Sequence, residues 1–183
     1  MLEKLFSIDA SLLLYLQENV RNPILTKVLV FITTLGNGGF VFILFGALLL
    51  VFKKTRKDGI LYSLALILNL LLTNLVLKNL FMRPRPYTVI EGLTILINPP
   101  HGYSFPSGHT SAAFCLAMIL FFINKKASVV AFLFAVMMGF SRMYTGVHYP
   151  TDVLGGAITG VISALIVGLV NNFVISKKVI TLR

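Results

Sequence analysis

The sequence predicts an all-α fold: a polytopic membrane helical bundle of five or six transmembrane helices, with an N-terminal interfacial helix. Three observations carry this prediction. Apolar runs near the roughly 20 residues needed to cross a hydrocarbon core recur along the chain. The 183 residues are 57% hydrophobic and only 12% charged, against roughly a quarter charged in soluble domains. The charge that remains gathers in short connections between the apolar runs, as loops flanking spans do. Backbone groups find no water inside lipid, so runs of this length are read as helices.

Taken in order, residues 1–35 read as an interfacial helical segment and residues 36–175 as the transmembrane bundle, all within one domain, 1–183. Leu5, Phe6, Ile8, Leu12, Leu13 and Leu16 are interleaved with Glu3, Lys4, Asp9, Gln17 and Glu18, which suggests a short amphipathic helix lying in the membrane interface. The acidic residues, and the lack of a small-residue cleavage site after them, argue against a secretory signal. Arg21-Asn22-Pro23 breaks this helix, and a second apolar piece covers 24–34. Gly36-Asn37-Gly38-Gly39 interrupts it before apolar chain resumes over 40–52. One broken span, or an interfacial piece followed by a short span, both fit 24–52. Further spans are expected over 59–80, 108–123, 127–144 and 152–174. Between the first two of these lies the longest polar connection, 81–107, with five prolines. Gly156 and Gly160 form a small-xxx-small pair that would let a neighbouring helix approach closely.

The net charge of +10 is the electrostatic signature of a nucleic-acid binder only if the cations share a face, and here they sit in short loops. No nucleic-acid partner and no obligate protein partner is expected. Lys53, Lys54, Arg56, Lys57, Lys125, Lys126, Lys177, Lys178 and Arg183 fall on one side of the predicted topology. Lys4, Arg21, Lys27, Lys78, Arg83, Arg85 and Arg142 fall on the other. The positive-inside rule puts the first set in the cytoplasm. The sole cysteine, Cys115, lies inside an apolar run as a lipid- or core-facing filler, so no disulfide forms within the chain.

Three polar islands then share the extracytoplasmic side. The first is Lys78 with Arg83 and Arg85, which alone would read as cations snorkelling to headgroups. The second is Ser104-Phe105-Pro106-Ser107-Gly108-His109-Thr110-Ser111, where a serine cap and a helix start also make an anion site. The third is Ser141-Arg142-Met143-Tyr144-Thr145-Gly146-Val147-His148-Tyr149-Pro150-Thr151-Asp152, where the bland reading is Pro150 and Asp152 opening a helix. Ionisable groups are costly at membrane depth, and their conjunction here matches phosphoryl transfer, in which cations and N–H donors neutralise phosphate oxygens. No metal-ligand cluster and no nucleotide-binding glycine loop stand out.

Lys78-x6-Arg85-Pro86, Pro106-Ser107-Gly108-His109 and Ser141-Arg142-x5-His148-x3-Asp152 resemble the three signature motifs of the type-2 phosphatidic acid phosphatase superfamily, in residue type, spacing and order. The register of the family pattern matches Arg85 rather than Arg83, leaving Arg83 as a headgroup-level cation. The resemblance implies that His148 attacks phosphorus, that Asp152 orients it, and that His109 protonates the leaving oxygen. It also implies that Lys78, Arg85, Arg142, Ser107 and the Gly108 N–H hold the phosphate, with no metal and no cofactor. It implies a lipid phosphate or pyrophosphate substrate, undecaprenyl pyrophosphate first, in a bacterial plasma membrane with the site facing outward. Gly108 stands where many dedicated undecaprenyl pyrophosphatases of the family carry aspartate, a feature shared with phosphatidylglycerophosphate and broad-range lipid phosphatases. A phosphotransferase would use the same residues. A vanadium haloperoxidase shares the motifs in a large soluble protein, and a non-catalytic lipid-binding protein would need no His148.

Overall fold

The computed structural model describes the backbone of residues 2–181 and the side chains of residues 4–171. Every regular element among them is helical. Helix α1 (Leu2–Tyr15) runs on through a π-helical turn, Leu16–Val20, and is followed by α2 (Pro23–Leu35) and α3 (Phe40–Val51). Helix α4 (Arg56–Leu70) continues through a second π-helical turn, Leu71–Leu77, into α5 (Lys78–Phe81). The bundle closes with α6 (Gly108–Ile123), α7 (Lys125–Tyr144) and α8 (Pro150–Thr181). The Lys177 and Lys178 side chains and Arg183, three of the cations expected in the cytoplasm, lie outside the described residues.

Local chemistry sets several of these boundaries. The Asn22 side chain accepts from the Leu25 N–H at 2.9 Å, and Pro23 supplies the first helical φ of α2. Asn124 caps α7 in the same way, accepting from the Lys126 and Ala127 N–H groups. Residues 24–52 form two helices bent by 47° across the glycine-rich break. Gly38 (φ 60°) and Gly39 (φ 74°) adopt left-handed backbone there, a conformation that a side chain would strain.

By length and composition, three stretches among the described residues can cross a membrane: Arg56–Thr88, Lys125–Tyr144 and Pro150–Asn171. The bent pair α2–α3 makes a fourth if it counts as one span. Helix α6, included in the expectation of five or six, has 16 residues, a length of about 24 Å against a core of about 30 Å. It is short because it starts inside the bundle, beside the polar islands. Helices α1 and α2 also contribute to the interior of the bundle. Asp9 and Leu13 of α1, and Leu29, Ile32 and Thr33 of α2, are buried, so both helices pack into the body of the protein.

Helix α6 is the hub. Ala112, Ala113, Cys115 and Ile119 bury their side chains among Tyr62 and Ala65 of α4, Ala135 and Met138 of α7 and Ala164 of α8. Cys115 therefore faces the core. The outward faces of α4, α7 and α8 expose Leu64, Val130, Leu133, Leu154 and Ile158, as a lipid-facing surface requires. Between α6 and α8 the backbones touch. A Cβ on Gly156 would lie 2.6 Å from the Ser107 carbonyl oxygen, and one on Gly160 would lie 2.2 Å from that of Ser111. Gly160→Ala should therefore push the two helices apart and lower stability by about 1–3 kcal/mol, the usual cost of overpacking. Thermal unfolding in detergent would check this, and an unchanged Tm would mean that α8 can shift without penalty.

Candidate active site

Two helix starts and one corner build the site. Chain leaves α5 at Met82, which takes a left-handed conformation (φ 44°), and the connection folds back so that the Ser104 N–H donates to the Arg83 carbonyl at 2.8 Å. This brings Ser104 beside the start of α8. The corner between α7 and α8 is closed by the Val147 N–H on the Arg142 carbonyl and by Gly146 at φ 78°. His148 lies in that corner, four residues before Asp152 in the first turn of α8.

Hydrogen bonding fixes the His148 tautomer. Nε2 stands 3.3 Å from Arg85 Nη1, a group that can only donate, so Nε2 is the acceptor and carries a lone pair. Nδ1 then carries the proton and donates to Asp152 Oδ2 at 3.3 Å. Asp152 has no exposed surface, and its Oδ2 also accepts from the Tyr149 N–H at 3.0 Å and from the Ser104 hydroxyl. Burial of His148 lowers its pKa to about 3, against the upward pull of the Asp152 hydrogen bond and helped by the charges of Arg142 and Arg85. The contact with Asp152 is thus a hydrogen bond donated by a neutral ring rather than an ion pair.

A cavity of about 340 Å³ lies against His148. Lys78, Arg85, Gly108, His109, Arg142 and His148 all line it. The three motif cations differ in what they have to offer. Arg85 is already committed: Nε donates to the Gly102 carbonyl, Nη2 to those of His101 and Tyr103, and Nη1 to that of Val147 as well as to His148. Arg142 is 1% exposed, with one nitrogen on the Thr33 hydroxyl at 2.5 Å and a buried Nε that has no partner among the described residues. Such a donor costs about 1–3 kcal/mol unless an acceptor reaches it. His109 Nε2 lies 3.2 Å from Asn37 Oδ1, in the bend between α2 and α3.

The structure brings together every residue expected at the site except for one displacement. Ser107 is wholly buried and does not line the cavity; its hydroxyl accepts from Thr110 at 2.9 Å and its N–H donates to the Asp152 carbonyl at 3.0 Å. Gly108 takes the place at the cavity wall. A Cβ there would have Asn74, Lys78 and Thr73 atoms no nearer than 3.9 Å, so the glycine leaves room rather than avoiding a clash. Below the cations, Leu66, Leu70, Asn74 and Lys78 line the cavity at four-residue steps along α4–α5, so that its wall passes from apolar to charged.

Arg83 is the main correction to the sequence reading. It is no headgroup-level cation, for its side chain is 13% exposed and bridges Asp9 and Asp152 at 2.7 Å each. Its guanidinium also lies 3.8 Å from the centroid of the Tyr149 ring. Asp9, Ser104 and Asn37 were likewise missed as site residues. Ser104 alone lay inside a recognised polar island, and no local pattern marks the other two.

A cation-lined cavity facing a buried, unprotonated histidine within a membrane-type bundle defines an enzyme that works on phosphate groups. A PAP2 superfamily model matches residues 58–175, which include all the motif residues. An undecaprenyl-diphosphatase of Sulfolobus acidocaldarius is 34% identical over 137 residues, which are 74% of this chain and 66% of that protein. Undecaprenyl-diphosphatase BcrC of Bacillus subtilis is 32% identical over 143 residues, 77% of this chain and 72% of its own length. The crystal structure of a transmembrane PAP2-type phosphatidylglycerolphosphate phosphatase from Bacillus subtilis matches with a TM-score of 0.77 and 31% identity, covering 92% of this chain and 87% of that one. The chain belongs to the PAP2 superfamily. Family, relatives and fold agree with the expected lipid-phosphate phosphatase.

The depressed His148 pKa gives a signed prediction. Between pH about 6.5, the unfolded value, and about 3, the unfolded chain binds a proton at this ring that the native chain does not. The stability contributed by this group is complete above that window and is lost as pH falls through it. In ¹⁵N NMR of histidine-labelled protein, the His148 ring should stay in the neutral Nδ1–H form from pH 8 down to 5. A midpoint near 6.5 would contradict the assigned burial and tautomer.

Proposed function

We propose that the chain hydrolyses the terminal phosphate of an amphiphilic lipid, undecaprenyl pyrophosphate first, through a phosphohistidine on His148. The observation that carries this reading is the His148 tautomer: Nε2 carries a lone pair, and His148 lines a cavity together with Lys78, Arg85 and Arg142. In the first step Nε2 forms a bond to phosphorus while the bond to the lipid oxygen breaks. His109 gives that oxygen its proton, and Asp152 stabilises the ring as it gains positive charge. In the second step water attacks phosphorus, His109 takes its proton, and inorganic phosphate leaves with His148 restored. Lys78 and the unpartnered Arg142 Nε offer donors to the equatorial oxygens, and the Gly108 N–H at the start of α6 adds a third. Arg85 supplies charge and aims Nε2 rather than offering a free fork. Ser107 supports the site from behind Gly108.

The stripe from Leu66 to Lys78 suits a substrate whose tail stays in lipid while its headgroup rises to the cations. Exposed Lys53 and Lys54, in the connection before α4, Lys57 in the first turn of α4 and Lys125 and Lys126 in the first turn of α7 lie away from the motifs in sequence, which supports an extracytoplasmic site in a bacterial plasma membrane. The second reading, a phosphatidylglycerophosphate or broad-range lipid phosphatase, is favoured by the open space at Gly108.

Purified protein in detergent should release phosphate from undecaprenyl pyrophosphate, and do so unchanged in EDTA. A higher kcat/KM on phosphatidylglycerophosphate would select the second reading, and phosphate appearing only with an added lipid acceptor would indicate a phosphotransferase. His148→Ala should form no phosphoenzyme and show almost no turnover. His109→Ala should keep a larger share of wild-type activity on p-nitrophenyl phosphate, whose leaving group needs no proton, than on a lipid monophosphate. Substantial turnover by His148→Ala would sink the mechanism.

A further inference from the structure

We propose that Asp9, on helix α1, is a positioning residue for catalysis that acts through Arg83 on the Asp152–His148 pair. The inference rests on the phosphohistidine reading above. Arg83 donates from Nη1 to Asp152 Oδ1 at 2.7 Å and to the Thr151 hydroxyl at 2.6 Å, and from Nη2 to Asp9 Oδ2 at 2.7 Å. Asp9 is 2% exposed, and it also accepts from the Thr151 N–H at 3.1 Å and from the Thr151 hydroxyl. One guanidinium thus ties the first helix to the first turn of the last. Neither Asp9 nor Arg83 lines the phosphate cavity; both border a separate apolar groove on the other side, with Phe6, Phe81, Met82 and Phe105. They act on the reaction without touching the substrate.

Two effects follow from this arrangement. Arg83 holds Oδ1 of Asp152, so that Oδ2 is left to face His148 Nδ1 and the carboxylate does not rotate away. Its charge is also a liability. When Nε2 bonds to phosphorus the imidazole becomes cationic, and an unshared guanidinium on Asp152 would draw off the negative charge that should stabilise it. Asp9 takes half of the guanidinium and restores that charge to Asp152. The family match begins at residue 58, so Asp9 lies outside it and reaches the site only through the fold.

The test separates chemistry from phosphate binding. Asp9→Asn keeps the shape and removes the charge. It should lower kcat and the rate of phosphoenzyme formation at least tenfold with ³²P-labelled lipid phosphate, while the Kd for inorganic phosphate stays within twofold of wild type. Arg83→Lys cannot span both carboxylates and should show the same split, and the double variant should lose no more than Arg83→Lys alone. Wild-type kcat in Asp9→Asn, a parallel loss of phosphate affinity, or additive losses in the double variant would each overturn the proposal. Should Asp9→Asn not fold, Thr151→Val carries the test, since it removes only the hydroxyl that Asp9 and Arg83 share. It should lower kcat two- to fivefold at unchanged phosphate affinity, and no loss would overturn the proposal. Absence of a phosphoenzyme in the wild type would instead defeat the mechanism on which this inference rests, whatever Asp9 does.

Discussion

A carboxylate with no exposed surface persists inside an apolar bundle only if donors surround it, because an uncompensated buried charge is far costlier than any single contact repays. Asp152 meets that condition with an imidazole N–H, a backbone N–H, a hydroxyl and a guanidinium, drawn from His148, Tyr149, Ser104 and Arg83. These four groups come from the corner before α8 and from both ends of the long connection between α5 and α6. Holding this one carboxylate therefore fixes the course of that connection, the start of α8 and the plane of the His148 ring. The close approach of α6 to α8 at Gly156 and Gly160 serves the same end, since it brings the start of α6 against the Asp152 backbone.

The cavity shows how a small bundle concentrates positive charge without wasting it. Arg85 spends its donors on four backbone carbonyls and the histidine, and so acts as a rigid part of the wall. Arg142 is anchored by Thr33 of α2, and its Nε has no partner among the described residues. Three residues that look equivalent as motif cations thus divide into a scaffold member, a buried donor and a lysine on the cavity wall. Anchoring Arg142 through Thr33 also ties α2 to α7.

Much of this was legible in the sequence because the signals are local. Apolar runs bounded by polar islands located α6, α7 and α8 closely, and Lys78, Arg85, His109, Arg142, His148 and Asp152 fall in motifs with fixed spacing. The π-helical turn before Lys78 left no periodic trace, although it rotates the residues that follow it. What stayed hidden depends on contacts between distant parts of the chain. Asp9 looked like a polar-face residue of an amphipathic helix, and only its meeting with Thr151, 142 positions away, shows that it is buried. Arg83 and Arg85 are separated by a single proline, and the motif spacing that assigns Arg85 gives no sign that Arg83 bridges Asp9 and Asp152. Asn37 read as part of a break, and a break gives no hint that its amide meets His109.

The Asp9–Arg83–Asp152 bridge also bears on how the protein is made. Helix α1 holds a residue whose partner the nascent chain does not supply until α8 has been synthesised. Until then Asp9 has neither Thr151 nor the completed bridge to satisfy it, and a lone carboxylate favours the water side of the interface over the apolar interior. Helix α1 would therefore wait at the surface during biogenesis and dock only when α8 arrives, making its seating a late step in assembly.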